Sequence, residues 1–249
     1  MQQRKELSIL KDNTPVAVIT GASRGFGRAL LKEFVSHGWA TVPVIRDPLV
    51  AESLQTEYGP TCLPLVADVT DPMIEDKLKR HLTALPRVDL LINNAGIIIK
   101  ERGLEAARTE DIRAHFEVHC LGALRCARAS APFLAKAEKP LIINITSRWG
   151  SIGMTAEGKG GLGSGLIYSY KIAKASLNML TASLDHELRP NGIRVFAVHP
   201  GRLKTEVAPP DADTPPEEAA RRLMKWLDGL DRDQPCHCYD LMNEMIVKW

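Results

Sequence analysis

Short and nearly continuous apolar runs alternate along the chain with stretches whose apolar residues recur at helical spacing. The runs are rich in Val, Ile and Leu, which is typical of strands that are buried on both faces. They cover residues 16–20, 41–45, 62–67, 88–93, 141–146 and 193–198. Between them, the spacing predicts helices over residues 27–37, 72–85, 109–135 and 170–188. This repeated alternation predicts an α/β fold, a doubly wound parallel sheet with helices on both faces.

Nothing in this alternation indicates a second domain, and 249 residues are an ordinary length for one α/β domain. We therefore expect one domain over residues 15–249, preceded by an N-terminal extension of residues 1–14. Two segments break the rhythm: residues 151–166 are dense in glycine, and residues 203–218 are rich in proline and acid. Because ligands of such sheets bind beyond the carboxyl ends of strands, these segments are candidate walls of a substrate site.

Composition narrows the class of protein. The net charge is only +2, so the sequence gives no case for a nucleic-acid or membrane partner. We find no apolar run long enough for a signal peptide or a membrane span, and we expect a cytoplasmic protein. The odd number of scattered cysteines fits reduced thiols. Cys236-His237-Cys238 lacks a second ligand cluster, so we expect no metal site.

A glycine-rich loop connects the first predicted strand to the first predicted helix. Residues 20–27 read Thr-Gly-Ala-Ser-Arg-Gly-Phe-Gly. Glycines let a backbone turn sharply and approach a pyrophosphate closely, and a helix N-terminus offers free N–H groups to phosphates. The loop therefore predicts a dinucleotide site, with a ligand-free helix entry as the alternative.

The order of several motifs resembles the short-chain dehydrogenase/reductase family over about residues 15 to 207. They are the loop at 20–27, Asp68-Val69, Asn93-Asn94-Ala95-Gly96, Ser147, Tyr170-x-x-x-Lys174 and Pro200-Gly201. Further details, in residues 44–48, 147–152 and 174–179, most resemble the sniffer and C-factor branch of carbonyl reductases. The resemblance implies a single-domain Rossmann-type fold.

The resemblance also implies which residues bind a nicotinamide dinucleotide. The glycine loop would contact the phosphates, Asp68 and Val69 the adenine, the turn at 93–96 the adenosine ribose, and the segment from Pro200 the nicotinamide. The full set is Gly21, Ser23, Arg24, Gly25, Phe26, Gly27, Arg46, Asp68, Val69, Asn93, Asn94, Ala95, Gly96, Tyr170, Lys174, Pro200, Gly201, Leu203 and Thr205. From the residues alone, Asp68 also fits a helix cap, and Asn93-Asn94 fit a strand-ending turn.

Arg46 favours NADP(H) over NAD(H). The second predicted strand ends in Val44-Ile45-Arg46, without the acid that would bind a free ribose hydroxyl. A guanidinium suits the additional phosphate of NADP, and Arg24 is a second cation in the glycine loop. The alternative is that Arg46 pairs with Asp47 or faces solvent.

Tyr170 and Lys174 are the candidate proton-handling pair. Four residues apart on a helix, their side chains share a face. A nearby ammonium lowers the pKa of a tyrosine from its ordinary value of about 10. We therefore expect Lys174 to activate Tyr170 as general acid/base, and Ser147 to form a hydrogen bond with the substrate oxygen. The alternatives are a surface helical pair, Tyr168 in place of Tyr170, and Thr146 or Ser151 in place of Ser147.

Two features depart from the family pattern. His119 stands where the family has a fourth catalytic residue, an asparagine whose backbone carbonyl helps hold a water against the lysine. His119 either replaces that asparagine, has a role of its own, or is a packed helical histidine. The interval from Ser147 to Tyr170 is longer than in the family, and the added residues 157–165 form either a lid or a flexible excursion.

The sequence thus predicts an NADP(H)-dependent enzyme that transfers hydride between nicotinamide and a carbonyl or alcohol substrate. A dinucleotide-binding regulator or scaffold is the alternative, favoured only by His119. A third hypothesis is a dehydratase or epimerase that uses the same residues. Family members pair through the helices at 109–135 and 170–188, so the resemblance implies a homodimer or homotetramer.

Overall fold

The computed structural model describes residues 13–101, 103–159, 168–206 and 212–249. Within them, eight strands form one sheet in the order β3-β2-β1-β4-β5-β6-β7-β8, parallel except for the antiparallel β8. The strands are β1 (Val16–Thr20), β2 (Ala40–Ile45), β3 (Leu65–Val66), β4 (Leu90–Asn93), β5 (Leu141–Ile145), β6 (Arg194–His199), β7 (Cys238–Asp240) and β8 (Met245–Val247). This is a Rossmann-type fold, as predicted. The expected N-terminal extension lies almost entirely outside the described residues.

Helices cover both faces of the sheet. They are α1 (Gly25–Ser36), α2 (Pro48–Tyr58), α3 (Ile74–Leu82), α4 (Thr109–Phe116), α5 (Gly122–Leu134), α6 (Ile152–Ala156), α7 (Ser169–Leu188) and α8 (Pro216–Asp228). Apolar side chains of α1, α2 and α8 pack on one face, and those of α3, α5 and α7 pack on the other. Among the described helices, none is long and apolar enough to cross a bilayer.

The two-sided core explains why the strands read as continuous apolar runs. In β1, Ala17 and Ile19 belong to one core, whereas Val16 and Val18 belong to the other. Successive side chains of a strand point to opposite faces, so a strand covered on both sides needs apolar residues at every position.

Most predicted elements are present with shifted ends. β1 matches its predicted range, and α7 begins at Ser169, one residue before the prediction. The strand predicted over 62–67 is reduced to β3, because only Leu65 and Val66 continue the pairing with β2 beyond a single bridge at Cys62. The helix predicted from 72 begins at Ile74, after a turn in which Asp71 accepts a hydrogen bond from Met73 N at 2.8 Å.

The sequence did not predict α2, α6, α8, β7 or β8, although it has start signals for α2 and α8. Asp47 accepts a hydrogen bond from Leu49 N at 2.9 Å and caps α2, which has Pro48 in its first turn. Helix α8 likewise begins with Pro216 and an acidic first turn. Proline in the first turn and acids near the N-terminus are established start signals.

The single helix predicted over 109–135 is interrupted. A π-helical segment, Glu117–Leu121, lies between α4 and α5, and His119 is at its centre. Wider turns of this kind inside α-helices are frequently found at functional sites. The interruption coincides with the position at which the sequence departs from the pattern of the family that it resembles.

Asp185 joins α7 to the start of β6 and so fixes the helix that carries Tyr170. It is 1% exposed, and it accepts hydrogen bonds at 2.9 Å from both Arg194 Nε and Val195 N, and a third from Arg189. Burial alone would raise the pKa of Asp185, but the hydrogen bonds from these donors outweigh it, and the pKa lies below its ordinary value.

We expect Asp185→Asn to lower the free energy of unfolding at pH 7 by about 3 kcal/mol, because Arg194 then stays buried without its carboxylate. Since the folded-state pKa is depressed, the advantage of the wild type exists above the unfolded-state pKa and disappears as the pH falls through the folded-state value. Urea denaturation across this pH range measures both effects.

Glu218→Gln is the matched control, because Glu218 pairs with Arg222 on the surface of α8, where both side chains are over one-third exposed. This change should alter stability by less than about 0.5 kcal/mol. Equal effects of the two substitutions at pH 7 would contradict the assignment of Asp185.

Candidate active site

One cleft, beyond the carboxyl ends of the parallel strands, collects almost all the residues singled out in the sequence. Its volume is about 2210 Å³. Ser147, Tyr170, Lys174 and His119 line it, together with every predicted cofactor residue except Asn93. Residues from the whole length of the chain thus meet where such sheets bind ligands.

The glycine loop packs too closely against the turn after β4 to accommodate side chains. A Cβ on Gly21 would lie 2.8 Å from Ala95 Cα, and one on Gly27 would lie 2.2 Å from Gly21 O and 2.5 Å from Asn94 Nδ2. Gly21 also has a φ of +67°. Arg24, which precedes α1, makes no side-chain cap, so the first N–H groups of the helix are available to an anion.

Thr20 and Asn94 connect the ends of β1 and β4 below this loop. Thr20 Oγ1 accepts hydrogen bonds from the backbone N–H groups of Asn94 and Ala95, both at 3.0 Å. Asn94 Nδ2 donates to Thr20 O at 2.9 Å and to Gly21 O at 3.2 Å. Asn94 therefore shapes the glycine loop through its side chain.

Asn93 is the one predicted cofactor residue that the structure does not bring to the cleft. Its Nδ2 donates to Asn144 Oδ1 at 2.8 Å, and Asn144 Nδ2 donates to Thr181 Oγ1 at 2.9 Å. This buried chain of hydrogen bonds connects β4, β5 and α7. Asn93 thus faces the neighbouring strand, whereas Asn94, Ala95 and Gly96 line the cleft.

Tyr170 and Lys174 lie one turn apart at the start of α7. Lys174 Nζ is 5.6 Å from the centroid of the Tyr170 ring and donates to Ile145 O, at the end of β5, at 2.7 Å. A Cβ on Gly150 would lie 2.8 Å from the backbone carbonyl carbon of Lys174. The turn after Ser147 therefore packs directly against the backbone of α7.

The rivals of the predicted residues have other contacts. Thr146 Oγ1 donates to Asn178 Oδ1 at 2.6 Å, and Ser151 Oγ accepts from Met154 N at 3.1 Å. Tyr168 does not line the cleft. Ser147 lines the cleft, and its Oγ accepts a 3.2 Å hydrogen bond from Trp149 N, so it remains the candidate hydroxyl at the cleft floor.

Asn178 was missed from the sequence and fixes this floor. It accepts the hydrogen bond from Thr146, and its Nδ2 donates to Gly150 O at 3.1 Å. The two residues that it contacts flank Ser147. Its signal in the sequence is its spacing, because it lies four residues beyond Lys174 on the same helical face.

The pKa of Tyr170 differs from the sequence-based expectation. Part of the side chain faces the cleft, but burial raises the pKa of Tyr170 to about 12, while a hydrogen bond with Ser147 opposes the rise. Burial also lowers the pKa of Lys174 to about 7. An ammonium attracts a phenolate and would lower the pKa of Tyr170, but in the protein alone the loss of solvation has the larger effect on the pKa values of both groups.

Three aromatic side chains surround the Tyr170 ring edge-on. The ring centroid of Tyr170 lies 5.6 Å from that of His119 and 6.2 Å from those of His115 and Trp149, with interplanar angles of 84° to 88°. The two histidines stack on each other at 5.8 Å. His115 and Trp149 were not identified as site residues from the sequence, and the i, i+4 spacing of the histidines is the signal for the first.

His119 contacts the backbone of Ile97 through one nitrogen. Its Nε2 lies 2.9 Å from Ile97 O and 3.3 Å from Ile97 N, so it serves one of these groups at a time. Its buried Nδ1 has no hydrogen-bond partner among the described residues. Burial, and then the charge of Lys174, hold the pKa of His119 well below its ordinary value, so the ring is neutral.

At the glycine-loop end, both candidate phosphate-binding arginines line the cleft and pair with acids. Arg46 NH1 lies 3.7 Å from Asp68 Oδ2, and Arg24 pairs with Glu206. Asp68 also accepts hydrogen bonds from the backbone and hydroxyl of Thr70, at 2.9 and 2.8 Å. The alternative pairing of Arg46 with Asp47 is absent among the described contacts, because Asp47 caps α2.

The two candidate substrate walls are described in part. Residues 151–159 form α6 and the turn after it, and Lys159 lines the cleft. Most of the added segment 157–165 lies outside the described residues, as do residues 207–211 of the second wall. No group of His, Cys, Asp and Glu in the described part of the chain is arranged to hold a metal ion.

Comparisons with known proteins agree with this geometry. The family model for short chain dehydrogenases matches residues 15–215. The chain is 32% identical over 159 residues to the C-signal protein of Myxococcus xanthus, which covers 64% of this chain and 92% of that protein. Its fold is similar to the NADPH-bound carbonyl reductase from chicken fatty liver, with a TM-score of 0.82, 25% identity, and coverage of 95% and 99% of the two chains. The carbonyl reductase Sniffer of D. melanogaster aligns with a TM-score of 0.85, 24% identity, and coverage of 95% and 100%.

Proposed function

The chain belongs to the short-chain dehydrogenase/reductase family, and from this premise we propose that it is an NADP(H)-dependent reductase of ketones or aldehydes. The observation that carries the proposal is the arrangement of Ser147, Tyr170 and Lys174 at one cleft floor, where burial keeps the Tyr170 hydroxyl protonated. Loss of NADPH absorbance with a panel of aldehydes and ketones tests the activity directly.

The cleft fits a nicotinamide dinucleotide. A Cβ at Gly21 or Gly27 would overlap neighbouring atoms, and the uncapped N–H groups of α1, with Ser23 and Arg24, would hold the phosphates. When bound, the dinucleotide supplies a hydride to the carbonyl carbon or accepts one from the alcohol. The remaining cofactor contacts would come from Gly25, Phe26, Arg46, Asp68, Val69, Asn94, Ala95, Gly96, Pro200, Gly201, Leu203 and Thr205, all of which line the cleft.

Three side chains handle the substrate oxygen and its proton. Tyr170 donates its hydroxyl proton to the carbonyl oxygen as the alcohol forms, and Ser147 hydrogen-bonds the same oxygen. Lys174, in its ammonium form, stabilises the phenolate that Tyr170 then carries. In the reverse reaction, the phenolate accepts the alcohol proton.

Tyr170 is neutral at neutral pH, as a residue that donates a proton to a carbonyl oxygen must be. A tyrosine with a pKa of about 12 is protonated at neutral pH and is therefore in the form that donates. Oxidation requires the phenolate, which burial disfavours. The homodimer or homotetramer and the cytoplasmic location expected from the sequence stay predictions.

The charges at the end of β2 support the proposed preference for NADPH. Asp47 follows Arg46 but its carboxylate caps α2, so it is turned away from the position in which an acid would bind a free ribose hydroxyl. Arg46 is 75% exposed in its side chain and lies 3.7 Å from Asp68, a weak pair that a phosphate can displace.

Tyr170→Phe should lower turnover by roughly a hundredfold or more, because it removes the transferable proton. The affinity for NADPH should change little, because the ring still packs among His115, His119 and Trp149. Steady-state kinetics and NADPH fluorescence measure the two quantities. Tyr168→Phe is the control and should have only a small effect on turnover. A reversal of the two effects would show that Tyr168 is the acid.

The Kd for NADPH should be at least about tenfold below that for NADH, the scale of a charge-assisted contact to phosphate. Arg46→Ala should reduce this difference by weakening NADPH binding alone. Arg80→Ala, which removes an exposed cation outside the cleft, should leave it unchanged. Comparable Kd values for the two cofactors, or an unchanged preference in Arg46→Ala, would refute the assignment.

His119→Asn should keep or increase turnover without altering the pH profile. An amide offers one donor and one acceptor, so it can pair with both Ile97 O and Ile97 N, between which His119 Nε2 must alternate. His119→Leu should lower turnover, because it leaves both groups unpaired. A loss of more than roughly tenfold in His119→Asn, about 1.4 kcal/mol of barrier, would instead indicate a role particular to the imidazole.

A further inference from the structure

The segment at residues 97–101 borders the cleft beside Tyr170, and two buried histidines fix its first half. His119 Nε2 lies 2.9 Å from Ile97 O, and Ile99 N donates to His115 Nε2 at 3.2 Å. His115 is fully buried, and its Nδ1 lies 2.8 Å from Asp111 O. The backbone of this half of the segment is therefore held by side chains that also pack against Tyr170.

A buried carboxylate fixes the other end of the segment. Glu101 is 4% exposed, and its Oε1 accepts hydrogen bonds from Tyr168 N at 2.6 Å and from Ser169 N at 2.5 Å. A carboxylate at a helix N-terminus is favourably placed. Glu101 thus attaches the segment to the start of α7, one residue before Tyr170.

Lys100 lies between these attachments and lines the cleft. Its neighbour Glu101 is turned into the protein, whereas Lys100 is exposed. No hydrogen bond or ion pair of the Lys100 side chain occurs among the described residues. Lys100 is thus a cation of the cleft lining without a counter-charge among the described residues, on a segment whose backbone is attached to the start of α7.

The acidic residues that line the cleft do not neutralise the charge of Lys100. Asp68 and Glu206 line the cleft, but they pair with Arg46 and Arg24 at the glycine-loop end. Lys159 also lines the cleft, and it pairs with Glu157, which is outside the cleft lining. A cleft with an excess of one sign attracts ligands of the other sign.

We propose that the substrates are carbonyl compounds with a carboxylate or phosphate group, and that Lys100 determines this specificity by binding that group. The inference rests on the proposed reductase function and adds the class of substrate. The segment at 97–101 positions Lys100 relative to Tyr170, so the anion is bound while the carbonyl oxygen faces the acid.

The test compares 4-formylbenzoate with its methyl ester, which has the same aldehyde without the charge. With saturating NADPH and low salt, the wild type should have a higher kcat/KM for the acid, and the difference should fall as KCl is added. Lys100→Gln should lower the ratio of kcat/KM, acid over ester, by about tenfold through KM. Lys79→Gln removes an exposed lysine outside the cleft and should keep the wild-type ratio.

Three outcomes would overturn the proposal. They are an equal kcat/KM for acid and ester, a ratio unchanged in Lys100→Gln, or an increased KM for NADPH in Lys100→Gln, which would assign Lys100 to the cofactor. If neither aldehyde is reduced, that result concerns the reductase function, which the panel of aldehydes and ketones tests, and not the role of Lys100. In that case, calorimetry measures the Kd of 4-formylbenzoate for the NADPH complexes of the wild type and of Lys100→Gln. The inference stands if Lys100→Gln binds 4-formylbenzoate about tenfold more weakly than the wild type does. It is refuted if the two Kd values are equal.

Discussion

The close contact between α7 and the end of β5 is the constraint on which the site depends. Only a glycine fits at position 150, because a Cβ there would lie 2.8 Å from the Lys174 backbone. This contact places Lys174 Nζ within 2.7 Å of Ile145 O, and Asn178 bonds to the residues that flank Ser147. A displacement of α7 by one ångström would therefore disturb the lysine and the serine together, and catalytic geometry tolerates such errors poorly. The buried Asp185 at the other end of the helix opposes such movement.

The same contact explains the protonation states. Tyr170 and Lys174 lie where protein replaces water, and burial favours the neutral form of each. It raises the pKa of Tyr170 to about 12 and lowers the pKa of Lys174 to about 7. In water their attraction would favour the charged pair, but here the loss of solvation is larger. The neutral phenol is the form that a reductase needs in its ground state. When Tyr170 gives up its proton, it becomes a negatively charged phenolate. Lys174 can be protonated near neutral pH, and its ammonium form then stabilises that phenolate.

The sequence predicted strands β1 to β6 and their parallel arrangement, because a core on both faces of the sheet leaves a local apolar signal in each strand. All of the cofactor residues that the family resemblance implies, except Asn93, line the cleft. Glycines such as Gly21 and Gly27 indicate close backbone contacts. A core on both faces of the sheet makes the apolar run of each strand continuous. The predictions were wrong where a residue's role depends on contacts with residues that are distant in the sequence. Asn93 belongs to a motif of the cofactor turn but bonds to Asn144, fifty-one positions away. The pKa of Tyr170 was expected to fall because burial is invisible in a four-residue spacing. Asn178, His115 and Glu101 act through contacts that only the folded chain forms.

His119 shows how the fold accommodates a departure from its family pattern. The π-helical segment turns its ring onto Gly96, where a Cβ would lie 2.6 Å from His119 Cε1. His119 Nε2 contacts the backbone of Ile97, while the buried Nδ1 has no partner among the described residues. An unsatisfied buried polar atom lowers the free energy of unfolding by an amount on the order of 1–3 kcal/mol. The ring also stacks on His115, whose Nε2 accepts from Ile99 N at 3.2 Å. The imidazole thus belongs to a pair that orders the wall next to Tyr170, and an amide at position 119 would satisfy Ile97 better but would lose that stacking.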